Sequence, residues 1–581
     1  MAVAPESSGI SLSPAPKIYR KELDKAREPS ETVAWVRERF APLGDSLLKE
    51  TKRIDTGRLD IPVFLSICGE QATMLTSTKK QMGKGASPIQ SEASALMELA
   101  ERVSFFNFIK NTEFPWAVAP QAPGPQVPFA QAAKAVHHPG EDLARAQKVY
   151  DLLPQQWAWA RELASGAEEL IPLSWFYAIN EYNGPAAGNC LEEAVLQALC
   201  EVVERHISAV VTLEKRPTPA IAKDSIGDPV SLELIAKLEK AGIEVFLKDF
   251  TCDMGMPSVA ALCWDPSTFP QKSEIVYAAG TATSPSMALV RALTEVAQLA
   301  GDFHTGSNYK VSALPKFVSM EEAAYVTQAA GTLNLSDLPD LSRPDFQDEV
   351  EACAAALKER GFSTYLLNVT HPVLQVPAVY CIVPGAHFAY RTSGTDVIFH
   401  AAKLASQLPN PGEAAQVLSE MAEAAGDSYR LRFFQGLALA RLELAEPALA
   451  AFEQALTLSP AAEDLPAIHT HRGAALKDLG RIEEAKAALE LAADTPEPHP
   501  EVFNLLGYCH FASREYEQAM EVFSRAIELD PALAINYANI GSCLRELGEI
   551  EKACQMYRHA LEIDPGIGFA RDNLARLGCQ G

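Results

Sequence analysis

The sequence predicts a mixed α/β domain over residues 50–395, followed by an all-α repeat solenoid over residues 429–581. Three observations carry this prediction. Apolar runs of strand length alternate with helical patterns as far as residue 395 and vanish after about residue 400. Beyond that point Ala, Leu and Glu dominate, and glycines return at a nearly fixed interval. Within the first part, three helical segments carry acidic side chains on otherwise apolar cylinders.

At 581 residues the chain is long enough for several domains, each with its own core. With 48% hydrophobic and 22% charged residues it falls among soluble globular proteins, not disordered or membrane chains. A net charge of −25 argues against a nucleic acid or an anionic membrane as the general partner. No apolar run reaches the length of a transmembrane helix. The N-terminal MAVAPESSGISLSPAPK lacks the apolar stretch of a secretory signal. The eleven cysteines are scattered, without a Cys-x-x-Cys pair, and Cys68, Cys263 and Cys381 sit in apolar strings. That pattern predicts reduced cysteines in a cytoplasmic protein, not disulfides or a zinc site.

Residues 1–30, rich in Pro, Ser and Ala, predict a flexible N-terminal arm. Strand candidates follow at Val63–Cys68, Glu244–Asp249, Val259–Trp264, Ile275–Ala279, Thr364–Val369 and Ala378–Val383. Residues 130–170 are more helical and charged, a candidate insertion, and residues 396–428 read as a helical linker. Gly436, Gly473, Gly507 and Gly541 then recur at intervals of 37, 34 and 34 residues. Twelve positions after each comes Ala448, Ala485, Ala519 or Ala553, and sixteen after comes Phe452, Leu489, Phe523 or Tyr557. Nineteen after comes Ala455, Ala492, Ala526 or Ala560. Pro460, Pro531 and Pro565 close three units; Glu497, between two prolines, holds that place in the second. Small residues where helices touch, an aromatic in the gap and proline at the turn match the tetratricopeptide pattern, with about four units and a capping helix in 566–581. Four units in phase outweigh the alternative of an unrelated Ala-rich bundle. Such units stack into a superhelix whose groove takes a peptide or protein; an architectural role, or a homodimer contact, is the alternative use.

The acidic segments read Ser94-x-x-x-Glu98-x-x-Glu101-Arg102, Glu193-x-x-x-Gln197-x-x-x-Glu201-x-x-Glu204-Arg205 and Arg291-x-x-x-Glu295. Steps of three and four put each set on one helix face. Their neighbours are apolar, so the carboxylates point into protein, where like charges are costly unless paired or bound to a cation. Six carboxylates with three accompanying arginines predict a divalent metal. Mg²⁺ prefers hard oxygen ligands and bridges carboxylates to phosphates. One Glu-x-x-Glu-Arg alone reads as a surface helix with intrahelical ion pairs; two copies plus Arg291 and Glu295 speak against that. Ser87-Pro88-Ile89-Gln90, Asn189 with Glu192, and Ser284-Pro285 give the three helices start signals. Glycines precede them at Gly83 and Gly85, at Gly184 to Gly188 and at Gly280, and helix N-termini after glycines suit phosphate oxygens. KKQMGKGAS fails as a Walker A motif because Thr78 stands where the first glycine is needed. Lys84 stays a candidate phosphate contact, with a plain exposed lysine as the alternative.

These motifs, in this order, resemble the ATP-binding signatures of the YcaO superfamily, and the strings MGKGAS, AAGNCLEEAVLQALCEVVERH and RALTEVAQ are similar to it as well. The resemblance covers about residues 50–395. It implies an ATP-dependent enzyme that phosphorylates the oxygen of a peptide-backbone amide, after which a nucleophile attacks that carbon. Family members make azolines, thioamides with an external sulfur donor, or amidines. The resemblance assigns Glu98, Glu101, Glu193, Glu201, Glu204 and Glu295 mainly to Mg²⁺. It assigns Ser94, Arg102, Gln197, Arg205 and Arg291 to ATP, with Lys84 beside them, and names no catalytic base. Azoline-forming members commonly end in a proline-rich PxPxP tail, whereas this chain ends at Cys579-Gln580-Gly581 after the repeats. That disfavours the azoline branch and draws the chain toward members linked to thiolation or methylthiolation of translation-related proteins, by analogy. The expectation is thioamidation or a related sulfur insertion on a protein substrate held by the repeats, with a sulfur donor or partner protein. The alternatives are an azoline-forming cyclodehydratase, a peptide ligase or hydrolase using the same metal site, and a non-catalytic scaffold or accessory factor for ribosomal-protein methylthiolation.

Overall fold

Strand-length apolar runs and capped helices assemble into two units. One comprises residues 1–139 and 155–395, the other residues 140–154 and 396–581. This computed structural model describes residues 2–3, 5–18, 25–55, 58–136, 140, 142–270, 273, 275–299, 317, 319–388 and 395–579. Residues 19–24 of the expected arm, 137–139 and 141 of the candidate insertion, and Gln580-Gly581 lie outside that set.

The first unit is built on three main sheets. Leu48–Arg53, Val63–Cys68 and Lys80–Lys84 pair antiparallel, with Val63 opposite Lys84. A five-stranded sheet runs in the order Val276–Thr281, Ser258–Trp264, Glu244–Asp249, Thr218–Ile221, Ala329–Leu333, and only its last pair is parallel. A six-stranded sheet orders Trp116–Ala117, Gln155–Glu162, Tyr365–Asn368, Ala378–Ile382 and Pro185–Ala187, with Glu168–Pro172 hairpinned onto Gln155–Glu162. Strand Ser258–Trp264 divides its side chains with period two. Ala260 and Leu262 join one core cluster, and Val259, Ala261 and Cys263 join another.

Four helices shape the site: α1 (Pro88–Asn111), α2 (Leu191–Glu214), α3 (Pro285–Leu299) and α4 (Phe346–Glu359). Helix α1 starts as its sequence predicts, with Gln90 Oε1 accepting from the N–H groups of Ala86 (3.0 Å) and Ser87 (3.3 Å). Helix α3 opens at Pro285, and the Met287 N–H donates to Ser284 Oγ (3.3 Å). Helix α2 differs from expectation. Its cap is Cys190, whose Sγ accepts from the Glu193 N–H (3.4 Å). Asn189 donates instead to the Glu193 carboxylate (3.2 Å), and Glu192 accepts from the Ser13 N–H (2.7 Å). The Thr32 hydroxyl donates to Asn189 Oδ1 (3.0 Å), so tertiary partners, Thr32 and Ser13, have taken the two side chains expected to cap. Val195, Leu199, Val202 and Val203 of α2 are buried in the core cluster that also holds Phe250, Leu366 and Cys381.

Over its described residues the arm lies docked on the rest of the first unit. The Ser8 N–H and hydroxyl donate to Glu168 (2.8 and 2.6 Å), the Lys17 N–H donates to the Pro344 carbonyl (2.9 Å), and Ile10 enters the α2 core cluster. Pro and Ser lower helix and strand propensity, but an extended segment still binds through backbone and hydroxyl groups.

In the second unit, helices Val397–Ser406 and Pro411–Ala425 lead into four helix pairs: Tyr429–Arg441 with Ala445–Thr457, Leu465–Asp478 with Ile482–Ala493, Pro500–Ala512 with Tyr516–Leu529, and Ala534–Glu546 with Ile550–Ile563. Gly568–Arg576 caps the series. The sixteen-residue spacing has a physical cause. A Cβ on Gly436, Gly473, Gly507 or Gly541 would meet Phe452, Leu489, Phe523 or Tyr557 at 2.4, 2.6, 2.6 and 3.0 Å. Each glycine lets the side chain of the second helix lie on the backbone of the first. Helix Leu143–Leu152, from the candidate insertion, belongs to this unit and packs against Val397–Ser406 and Pro411–Ala425, with Ala146, Val149 and Tyr150 buried. Cys554 and Cys579 form a disulfide, which corrects the expectation of reduced cysteines throughout: the chain turns back after the capping helix and brings their Cα atoms to 6.2 Å. Among the described residues, no helix is long and apolar enough to cross a membrane.

Candidate active site

Each acidic helix is pressed close against a glycine, within a strand at Gly83 and Gly280 and just past the end of one at Gly188. A Cβ on Gly83 would lie 2.1 Å from the Ala95 nitrogen of α1, one on Gly188 2.5 Å from the Ala194 nitrogen of α2, and one on Gly280 2.4 Å from the Ala288 oxygen of α3. These glycines, expected to open phosphate-binding turns, serve this close approach. It brings the three acidic faces around one cavity of about 300 Å³ in the first unit. All twelve residues singled out from the sequence line it: Lys84, Ser94, Glu98, Glu101, Arg102, Glu193, Gln197, Glu201, Glu204, Arg205, Arg291 and Glu295.

The carboxylates fall into two groups. Glu193, Glu204 and Glu295 already have partners. Glu193 accepts from Asn189 and from the Ala26 N–H (3.2 Å) and pairs with Lys25 (3.3 Å). Glu204 Oε2 accepts from the Thr281 N–H (3.0 Å) and lies 3.9 Å from Arg291 Nη2, while Arg291 Nη1 donates to Gln197 Oε1 (2.7 Å). Glu295 is ion-paired to Lys84, whose pKa burial lowers to about 8. Glu98, Glu101 and Glu201 are under-compensated. Burial raises all three carboxyls above their ordinary range, and Glu98, Glu101 and Glu201 repel one another further. Arg102 Nε sits 3.3 Å from Glu101 Oε1, yet that oxygen is buried and accepts no hydrogen bond. The Arg102 Nη1 group is turned to the Tyr182 carbonyl (3.0 Å), and Arg205 Nε is 4.0 Å from Glu201. Arg291 Nε is likewise buried without a hydrogen-bond partner.

Several lining residues were not found from the sequence: Lys17, Lys25, Arg27, Thr32, Asn189 and Glu349. A signal existed, since Lys17, Arg20, Lys21, Lys25 and Arg27 form a basic run in an acidic chain. Among the described residues, with the arm cations and Lys84 counted, cations equal carboxylates in the lining once Glu349 is added to the predicted six. The charge shortage inferred from the helices alone is therefore local, confined to Glu98, Glu101 and Glu201.

The sequence profile described as YcaO cyclodehydratase, ATP- and Mg²⁺-binding, matches residues 82–387. The chain belongs to the YcaO family. Tetratricopeptide profiles match residues 466–496, 500–533 and 534–567. An uncharacterised protein of Methanothermobacter thermautotrophicus is 28% identical over 385 residues, 62% of this chain and 94% of that one. The ribosomal protein S12 methylthiotransferase accessory factor YcaO of Escherichia coli is 26% identical over 236 residues, 38% of this chain and 39% of that one. A solved heterocyclase in complex with substrate and cofactor superposes with a TM-score of 0.54 at 21% identity, over 65% of this chain and 54% of its own. That likeness establishes the fold, and the chain spans about half the length of that protein.

The YcaO family binds ATP and Mg²⁺, and the residues here fit that pair. Among the described residues no three acidic, His or Cys side chains converge closely enough to enclose a metal by themselves. Mg²⁺ usually takes one or two carboxylates and completes its shell with phosphate oxygens and water. A cavity with a buried unpartnered Glu101 oxygen and an unpartnered Arg291 nitrogen suits such shared coordination.

Proposed function

We propose that this YcaO protein uses Mg-ATP to phosphorylate the oxygen of a backbone amide in a protein substrate, and that an external sulfur nucleophile then replaces that oxygen. The observation that carries the reading is the under-compensated trio Glu98, Glu101 and Glu201 in a cavity shared with Arg102, Arg205 and Arg291. One or two carboxylates of the trio would hold Mg²⁺ together with phosphate oxygens, and the ion would neutralise phosphate charge. Ser94, Gln197, Lys84 and the three arginines would orient the nucleotide. Glu193, Glu204 and Glu295 act through their partners and hold the arm, Arg291 and Lys84 in place.

The thiols at the cavity are poorly suited to supply the sulfur themselves. Cys200 lines the cavity, but burial pushes its thiol to about 12, and Cys190 at the start of α2 is pushed to about 12 as well. Neither is a thiolate near neutral pH, whereas the reactive form of sulfur is the anion. Sulfur enters as hydrosulfide or its equivalent; the amide oxygen leaves as inorganic phosphate and ATP becomes ADP. The methylthiotransferase accessory factor among its relatives, and the repeats of the second unit, suggest a folded protein as substrate or partner. Azoline formation, favoured by the cyclodehydratase description of the family, is the second reading.

The test is intact mass of proteins captured through residues 426–581, incubated with the enzyme, Mg-ATP and a sulfide source. A gain of about 16 Da, sulfur for oxygen, is expected. A loss of about 18 Da, one water, would establish cyclodehydration instead. ATP turnover without a mass change would favour the ligase or scaffold alternatives.

A further inference from the structure

Beside the acidic trio, the cavity wall contains a second buried charge system. Lys17 Nζ lies 2.6 Å from Glu349 Oε1, with the two side chains 1% and 0% exposed. The same oxygen accepts from the Thr283 hydroxyl (2.9 Å) and from the Arg343 N–H (2.9 Å). Its twin, Oε2, is buried and has no hydrogen-bond partner among the described residues. Three donors crowd one oxygen while the other has none. As a source of stability this is poor design, because a buried ion pair replaced by apolar side chains of similar volume is often as stable or more so.

What the pair joins is more informative. Lys17 belongs to the arm, which runs beside the start of α4: the Lys17 N–H donates to the Pro344 carbonyl and the Phe346 N–H to the Ala15 carbonyl, both at 2.9 Å. Further along, the arm supplies Lys25 and Ala26 to Glu193. Thr283 lies between Thr281, whose N–H holds Glu204, and Pro285, where the helix bearing Arg291 and Glu295 begins. Glu349 itself is in the first turn of α4. One carboxylate thus ties together the arm, the entry to α3 and the start of α4. Lys17, Thr283, Phe346 and Glu349 all line the cavity.

We propose that Lys17 and Glu349 are positioning residues of the nucleotide site, an inference that rests on the Mg-ATP reading above. Their junction fixes the arm and α3 against the acidic face of α2. It sets the separation across which Arg291 and the carboxylate trio share a ligand. The shared oxygen does the work; the charge serves to make its three hydrogen bonds strong. Neither side chain needs to touch the nucleotide.

Two double variants of the full chain separate this from a merely structural role. Lys17→Met/Glu349→Gln removes both charges and keeps an acceptor for Thr283 and Arg343. Lys17→Met/Glu349→Met removes the junction altogether. Melting of the nucleotide-free protein and the Mg-ATP dissociation constant are measured for both, with Glu201→Ala as the control. Both double variants are expected to melt near the wild-type temperature. The Met/Gln variant, which loses the Lys17 link but keeps an acceptor for Thr283 and Arg343, should bind Mg-ATP about threefold more weakly than wild type, and the Met/Met variant should bind at least about tenfold more weakly, a 1.4 kcal/mol loss. Wild-type affinity in the Met/Met variant, with Glu201→Ala impaired, would overturn the positioning role and leave the site assignment standing. Unfolding of both double variants would equally overturn it, showing a folding requirement alone. Unimpaired binding by Glu201→Ala would remove the site reading and this inference with it.

Discussion

A carboxylate repelled by its neighbours and short of donors is a liability until a cation arrives, so Glu101 should trade stability for binding. Glu101→Gln removes a buried charge that Glu98 and Glu201 oppose. The nucleotide-free variant is expected to melt a few degrees higher, while Mg-ATP binding weakens at least about tenfold, as for loss of a charge-assisted contact. Calorimetry and thermal melting of the same sample check both halves. Lys248 offers a contrasting case away from the cavity. It is 1% exposed, donates to the Gln328 carbonyl (2.5 Å), and burial lowers its pKa to about 8 from an ordinary 10.5. The folded state therefore binds its proton more weakly than the unfolded state. The penalty is complete below pH 8 and is relieved as pH rises from 8 toward 10.5. Lys248→Met should raise stability near pH 7 by on the order of 2 kcal/mol, with the advantage shrinking toward pH 10. A denaturant-midpoint series across that range would expose an advantage that fails to shrink.

At the scale of elements, two kinds of glycine contact should respond differently to the same change. Gly507→Ala puts a Cβ 2.6 Å from the Phe523 ring, and a ring can shift. Gly83→Ala puts one 2.1 Å from the backbone nitrogen of Ala95, inside α1, and that backbone cannot yield without moving the helix that carries Glu98 and Glu101. Overpacking of this sort costs about 1–3 kcal/mol. Gly83→Ala is expected to be the more destabilising of the two and the only one to weaken Mg-ATP binding. Equal nucleotide affinities in the two variants would argue that the strand-to-helix spacing is not what forms the site. Helix α2 illustrates the complementary lesson about caps: Cys190 took the cap because the Asn189 and Glu192 side chains had partners elsewhere, the Thr32 hydroxyl and Ser13.

For the whole molecule, connectivity decides where the chain can be cut. Helix Leu143–Leu152 lies within the sequence of the YcaO domain yet packs against Val397–Ser406 and Pro411–Ala425. A fragment of residues 1–395 deletes both partners and uncovers Val149 and Tyr150; it is expected to aggregate. A fragment of residues 1–425 keeps them and should stay monodisperse and bind Mg-ATP while losing activity on a protein substrate. Size-exclusion chromatography and calorimetry of the pair would decide, and a well-behaved 1–395 fragment would show that the helix needs no cover.

Much of the site was legible because its grammar is local. Helix periodicity put Glu98 with Glu101, and Glu201 with Glu204, on shared faces, and an apolar surround showed that those faces turn inward. The repeats were legible for the same reason: a glycine and an aromatic sixteen residues apart meet within one helix pair. The contacts of the arm were not legible because composition reports propensity, and docking through Ser8, Ser13 and Lys17 depends on acceptors supplied by Glu168, Glu192 and Glu349 far along the chain. The disulfide between Cys554 and Cys579 followed the same rule, since only the turn after the capping helix brings the two together. The sequence by itself determined the family, the helical repeat and the acidic faces, all encoded at separations of a few to a few dozen residues. Tertiary structure alone decided which carboxylates were already paired and which were left under-compensated, because burial and partner choice arise from contacts between segments far apart in the chain, as Thr281 is from Glu204 and Lys84 from Glu295.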